Sequence, residues 1–243
     1  MEREFEKKYH TLEKDHWWFI SRRDAVKRIV NKYDKNIKLL EIGCSSGQLV
    51  DVLNRAEYSD ITGIDISKEA VHLCKRRNMR DVIQMDGSKM GFKTEKFDLI
   101  IASDILEHMD DDFHAIREWR RVLKENGEIV AFVPAFKLLW GGHDVANKHF
   151  RRYNKRELIS LFKENGFEVV RVSYWNFFLF FPILITRLIK RKITKFSKPK
   201  DELFRVNKIV NQFLVALLRA ENIYCNFFNF PVGLSLFIIA KKL

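Results

Sequence analysis

Cysteine, proline and glycine are sparse in this chain of 243 residues, which has three, four and ten of them. Cys44, Cys74 and Cys225 show no metal-ligand spacing and no even pairing. That excludes a disulfide scaffold or a zinc module and fits a reducing compartment. No proline- or glycine-rich linker interrupts the chain, and no segment repeats. No uncharged stretch reaches the ~18–20 residues that span a bilayer, so a membrane-crossing helix is not expected. The start, Met1-Glu2-Arg3-Glu4-Phe5-Glu6-Lys7-Lys8, lacks the apolar core of a secretory signal, and the expectation is an intracellular, cytoplasmic protein. Acids are outnumbered 32 to 44, and the net charge of +12 points to polyanionic partners: nucleic acid, an anionic membrane surface or phosphorylated substrates. With 47% hydrophobic and 31% charged residues the chain is globular rather than disordered.

What is present is a regular alternation. Apolar runs at Lys38–Ile42, Asp60–Ile66, Val82–Met85, Phe97–Ala102 and Glu128–Val133 read as buried parallel strands. Helical patterns separate them at Gln48–Asn54, Glu69–Arg77 and Phe113–Leu123, with Ser67 and either Asp110 or Asp111 as caps. Asn154 with Glu157 starts a further helix, Lys155–Glu164, and Phe167–Tyr174 and Leu234–Ala240 read as two more strands. Strands alternating with helices give an α/β, doubly wound sheet with right-handed crossovers.

The stretch Leu39-Leu40-Glu41-Ile42-Gly43-Cys44-Ser45-Ser46-Gly47 organises this pattern: a strand, an acid, a turn through two glycines, then a helix. Glycine lets backbone N–H groups approach a ligand at a helix start. Glu41, Asp65 and Asp86 end three successive strands, where open α/β sheets bind ligands, and an acid after the second strand commonly accepts both hydroxyls of a ribose. Together they predict a nucleoside site.

Glu41-Ile42-Gly43-Cys44-Ser45-Ser46-Gly47, Gly63-Ile64-Asp65-Ile66-Ser67, Asp86-Gly87 and Ser103-Asp104-Ile105-Leu106-Glu107-His108 resemble the ordered motifs of class I S-adenosylmethionine-dependent methyltransferases. Within that superfamily the chain looks most like the ubiquinone-biosynthesis O-methyltransferase group, on the strength of Arg23 before the first motif and Gly142-His143-Asp144-Val145 before the penultimate helix. The resemblance implies a Rossmann-like seven-stranded sheet with its last strand antiparallel, and S-adenosylmethionine as cofactor with S-adenosylhomocysteine as product. It further implies that Arg23 meets the methionine carboxylate, and that Glu41, Gly43, Cys44 and Gly47 form the turn under the ligand. The resemblance likewise implies that Asp65 holds the ribose, that Asp86 and Gly87 flank the adenine and that Ser103 or Asp104 lines the floor by the sulfonium, with Ile66 and His108 as further cofactor-side residues, Ser103 and Asp104 both being candidates. Ser45 departs from the family's usual glycine, which a side chain tolerates most easily at negative φ.

Methyl transfer to a hydroxyl gains from a general base, and His143 and His149 are the candidates, with His108 more structural. His143, Asp144 and His149 lack a tight metal-ligand spacing, and no metal is expected. Trp17, Trp18, Trp140, Arg152 and Tyr153 are the expected acceptor-side residues, with Trp17 and Trp18 in an N-terminal helical lid from which Arg22 or Arg23 meets a carboxylate. The domain reading is a lid at 1–36, a cofactor-binding core at 37–175, an insertion at 176–231 and the final core strand at 232–243. In that insertion Phe177–Ile185 is apolar on all sides, and Arg187, Lys190, Arg191, Lys192, Lys195, Lys198 and Lys200 follow without an acid. A helix over Glu202–Arg219 carries Val206, Ile209, Val210, Phe213, Leu214 and Leu217 on one face. Such an apolar and basic segment suits a peripheral anchor at the inner face of the cell membrane, with a small-molecule or lipid-linked acceptor. The competing use is a homodimer face or a cap over a soluble substrate. Nucleic acid fits less well, since the basic residues have no interleaved aromatics. RNA or protein methylation, a non-catalytic nucleoside-binding protein and a nicotinamide-dependent oxidoreductase are the alternatives. The last would want Gly-x-Gly-x-x-Gly where Gly43-Cys44-Ser45-Ser46-Gly47 stands.

Overall fold

Leu39–Ile42 (β1) is buried along its whole length, and its side chains alternate between two apolar clusters. Leu40 and Ile42 enter one cluster and Leu39 the other, so both faces of the sheet are covered. The computed structural model describes residues 3–193 and 205–243, in the order α1 (Arg3–Glu13), α2 (Trp17–Val30), β1, α3 (Gln48–Asn54), β2 (Ile61–Asp65), α4 (Lys68–Arg76) and β3 (Val82–Gln84). Then come β4 (Phe97–Ser103), α5 (Asp112–Val122), β5 (Leu123–Pro134), α6 (Gly142–Ala146), α7 (Lys155–Glu164), β6 (Phe167–Trp175), α8 (Phe180–Ile193), α9 (Lys208–Tyr224) and β7 (Ser235–Lys242).

The seven strands lie in the order β3-β2-β1-β4-β5-β7-β6. Those from β1 to β5 run parallel, and β7 inserts antiparallel between β5 and β6. One face is covered by α5 and α7, through Ile116, Trp119, Leu158 and Phe162. The other is covered by α2, α3, α4 and α9, through Val26, Ile29, Leu53, Val71 and Leu218. Each such side chain contributes about 1.5–3 kcal/mol by leaving water. Trp119 is fully buried and also donates its indole N–H to the Gly87 carbonyl at 2.9 Å, so α5 fixes the loop after β3.

The caps follow the sequence. Ser67 accepts from the Ala70 N–H, Asp111 from the His114 N–H, and Asn154 with Glu157 closes a reciprocal capping box. The insertion is anchored by two consecutive buried residues of α9. Glu221 accepts the N–H groups of Asn176, Phe177 and Phe178 at 2.5–3.2 Å. Asn222 accepts from the Trp175 indole and donates to Ser21 O on α2.

The start of α9 differs from expectation. The helix begins at Lys208, residues 202–204 lie outside the described residues, and Ile209 and Phe213 on its apolar face are 79% and 65% exposed. Within the apolar Phe177–Ile185 stretch, α8 starts at Phe180. Of the basic run, Lys195, Lys198 and Lys200 lie outside the described residues. No helix among the described residues is long and apolar enough to cross a membrane.

Candidate active site

A cavity of about 1680 Å³ opens over the carboxyl ends of β1, β2 and β4. One drug-sized ligand takes about 300–1,000 Å³, so two reactants fit together.

At one end the turn after β1 passes close beneath the cavity. Gly43 and Gly47 have φ of +74° and +75°, and a Cβ on Gly43 would lie 1.9 Å from Ile105 Cδ1. Asp65 closes this end: its Oδ2 accepts the Ser45 N–H and its Oδ1 the Ser67 N–H, both at 2.8 Å. Each oxygen keeps a second lone pair for a hydroxyl. Burial raises the Asp65 carboxyl, while the two amides oppose that shift. Ile66 is 70% exposed beside it, an apolar surface for a planar base. Asp86 spends Oδ1 on the Ser88 N–H and hydroxyl, and with Gly87 it lines the wall. These residues fit a nucleoside: acceptors for a diol, an apolar face, and backbone held close by two left-handed glycines.

The other end holds a chain of buried charges. Asp144, wholly buried in α6, accepts from Arg152 Nε (2.7 Å) and Nη2 (3.1 Å), from the Gly141 N–H (2.7 Å) and from His149 Nδ1 (3.0 Å). Burial works against its charge, but His149 and Arg152 prevail and hold it below the usual carboxylate range. An ionised carboxylate only accepts, so His149 Nδ1 carries the proton and Nε2 is left as the acceptor. The His108 ring packs edge-on against His149 at 4.6 Å, and burial pushes its imidazole down to about 3. Arg22 lies between Trp18, Phe132 and Trp175, donating to Asp104 Oδ1 (3.3 Å) and Ser235 Oγ (2.9 Å).

The structure brings Gly43, Asp65, Ile66, Asp86, Gly87, Ser103, Asp104, His108, His143, His149, Trp17, Trp18 and Arg152 to one cavity wall. Four cofactor candidates stand behind it. Cys44 and Gly47 support the turn, and Glu41 is buried within β1, where burial raises its carboxyl. Arg23 donates to the carbonyls of Glu13 (2.6 Å) and Lys14 (3.1 Å), and it is Arg22 that meets a carboxylate. Trp140 is not on the wall, and the buried Tyr153 gives its hydroxyl to Asp112 Oδ2 at 2.8 Å. Ser45 has φ +50° rather than the negative value expected.

Two residues carried no sequence signal for their role. Glu107 is fully buried on the wall with neither oxygen partnered, and burial then Asp104 raises its carboxyl well above the usual range. Ligating atoms of Glu107, His108 and His149 lie within 4.8 Å of one another, the one such cluster among the described residues. The His143, Asp144 and His149 set is not assembled, because Asp144 is committed to Arg152 and His149. Glu13 was equally unmarked, and its contacts depend on how α1 folds back.

A doubly wound sheet with an antiparallel final strand, an acid after β2 and a cavity with room for two reactants fits a fold that holds a nucleoside cofactor beside a second molecule. The comparisons agree. Residues 40–131 match a family described as a methyltransferase domain. A ubiquinone biosynthesis O-methyltransferase from Pelagibacter ubique is 31% identical over 59% of this chain and 66% of its own length, just under two thirds. A chloroplastic 2-methyl-6-phytyl-1,4-hydroquinone methyltransferase from Oryza sativa is 23% identical over 68% of this chain and 51% of its own. A solved S-adenosylmethionine-dependent methyltransferase from Archaeoglobus fulgidus, 18% identical, has the same fold, with a TM-score of 0.62 over 96% of this chain and 99% of that one. Together these likenesses support a class I S-adenosylmethionine-dependent methyltransferase.

Proposed function

We propose that this protein moves a methyl group from S-adenosylmethionine, by direct displacement, to a hydroxyl of a small, lipid-like acceptor, working at a membrane surface. The observation that carries the reading is the buried Asp144–His149 pair on the wall of the cavity that Asp65 closes. When bound, the cofactor supplies an electrophilic methyl on a sulfonium. Asp65 would hold the ribose end and the Gly43 turn the methionine end. His149, fixed by Asp144, would take the acceptor's proton at Nε2. Arg152 balances Asp144, so the imidazolium formed sits beside an anion already paired. Holding both reactants in line supplies ~7–11 kcal/mol. The base adds roughly 10²–10⁴-fold. His143 suits the role less well, since the Asn147 amide reaches both of its ring nitrogens at 3.2–3.3 Å.

The lipid-like acceptor rests on α8. Ile183 and Arg187 line the cavity, while Phe181, Ile185 and Ile189 face out, and the helix has no acid. A helix that walls the cavity on one side, is apolar on the other and has basic residues but no acid in its sequence suits an interfacial anchor. The names of the Pelagibacter and rice relatives, which concern ubiquinone biosynthesis and a phytyl hydroquinone, agree with such an acceptor.

Label from methyl-labelled S-adenosylmethionine should enter a lipid extract, and the His149→Ala variant should lose that transfer. Label confined to water-soluble acceptors ends the lipid reading. With anionic vesicles at moderate salt the protein should float. No association at any lipid composition removes the membrane part, and a concentration-dependent dimer assigns the face to a second copy.

A further inference from the structure

Among the described residues the apolar attachment of the first helix is a satellite cluster of Leu12 and Phe19, edged by Tyr9, Trp18 and Ala146. Its polar attachment is denser and falls on the cofactor loops. Glu13 Oε2 accepts from Ser45 Oγ (3.0 Å), Ser46 Oγ (2.6 Å) and the Ser46 N–H (3.4 Å). One turn earlier His10 Nδ1 lies 3.2 Å from Ser45 Oγ, and a further turn back Glu6 accepts from the Ser67 hydroxyl. Glu6, His10 and Glu13 thus share one face of α1, and that face lies across the turns after β1 and β2. Glu6, Tyr9 and His10 also line the cavity, so α1 covers it at the end closed by Asp65.

Ser45 makes this contact at a cost. A side chain at φ +50° is disfavoured where glycine is free, so the position gives up backbone comfort for a hydroxyl. That hydroxyl has two partners, Glu13 and His10, and both are on α1.

We propose that α1 is a latched lid over the cofactor end of the cavity, with Ser45 as its catch and Glu13 as the positioning residue that holds it shut. The proposal rests on the reading of this cavity as the cofactor site and adds how cofactor enters and leaves. Cofactor passes only while the Glu13 contacts to Ser45 and Ser46 are broken. The latch itself is sensitive to pH. His10 faces Glu6 (3.7 Å) and Glu13 (3.6 Å) on its own helix and Asp65 from β2. The nearby cations are spent on backbone oxygens, Arg23 on Glu13 O and Arg77 on Ser46 O. Burial works to lower the His10 imidazole, but Glu13, Glu6 and Asp65 together raise it. A value raised by closing favours the closed lid at low pH, and that contribution is lost as pH rises through the raised value.

Rapid-mixing kinetics of S-adenosylhomocysteine, followed by the fluorescence of Trp17 and Trp18, test this. On this proposal the same latch closes over the empty and the filled site, so breaking it should speed entry and release together. Ser45→Gly and Glu13→Gln are each expected to raise both rates roughly ten- to hundred-fold with little change in Kd. The wild-type release rate should climb as pH rises through the raised His10 value, and His10→Gln should flatten that climb. Release that quickens while entry does not would make Glu13 a ligand contact and overturn the latch. Unchanged rates in both variants would overturn it too. Ser45→Gly relieves the left-handed side chain, so misfolding does not confound that arm. Failure of the wild type to bind S-adenosylhomocysteine would sink the cofactor reading instead, a result distinguishable from either.

Discussion

Asp65→Asn is the sharpest test of the cofactor site, because it changes charge and leaves size alone. In the wild type each carboxylate oxygen accepts one backbone N–H, from Ser45 and Ser67 at 2.8 Å, and offers its other lone pair to a ribose hydroxyl. An amide at this position has one acceptor oxygen, and its NH₂ group must face either the Ser45 N–H or the Ser67 N–H. One backbone donor loses its partner, and one of the two expected hydroxyl bonds disappears while the other loses its charge. Bonds to charged groups contribute about 1.5–3 kcal/mol each, so the combined loss is about 2–4 kcal/mol, or roughly 30- to 1000-fold in Kd. Titration calorimetry with S-adenosylhomocysteine measures it, with NAD as the control that should give no heat in either protein. Burial raises the Asp65 carboxyl, so hydroxyl donors must bind an anion the empty site disfavours. Affinity in the wild type should therefore be full above that raised value and fall as pH drops through it. An Asn variant that melts like the wild type and binds within about threefold of it would refute the reasoning.

Other outcomes follow from the acceptor end and the insertion. His149→Ala should lower kcat by roughly 10²–10⁴-fold with cofactor affinity unchanged, and His143→Ala should keep most of kcat. A wild-type kcat in the first variant would remove the base. Asp144→Asn breaks a buried charge pair and should cost about 3–5 kcal/mol in urea unfolding at neutral pH. Because the Asp144 carboxyl lies lower when folded, that difference should persist above the ordinary aspartate value. It should close as pH falls through the folded value, so parallel curves at every pH would contradict it. Glu221→Ala leaves the buried Asn176 N–H without an acceptor and should destabilise by about 2–3 kcal/mol, read from the urea midpoint.

Most of the fold could be read from residues close in sequence. Runs such as Leu99–Ala102 are apolar without interruption because two layers of helices cover them, and Ser67, Asp111 and Asn154 cap helices through contacts only three residues long. The start of α8 depends instead on Glu221, 43–45 residues away, which binds its first amides. No pattern around Phe177 could announce that partner. The apolar face of α9 was open to more than one reading for a related reason. Periodicity reports that Ile209 and Phe213 share a side of the helix, but not whether protein covers it.

The two ends of the cavity differ in the same way. Gly43 and Gly87 act through backbone, and Asp65 through the Ser67 and Ser45 N–H groups, each within a short motif whose residue types carry the information. Arg22 was one of two arginines considered, and what selected it was Asp104, 82 residues on, with Trp175 and Phe132 to pack against. Asp144 reads in the sequence as an ordinary loop acid. Its role comes from Arg152 arriving across eight residues and consuming both oxygens, which leaves His149 held by one nitrogen. A cofactor end made of backbone geometry and an acceptor end made of side-chain charge pairs can change separately. Substitutions at Arg152, His149 or α8 should therefore alter which acceptor is methylated while Asp65 and the Gly43 turn hold the same cofactor.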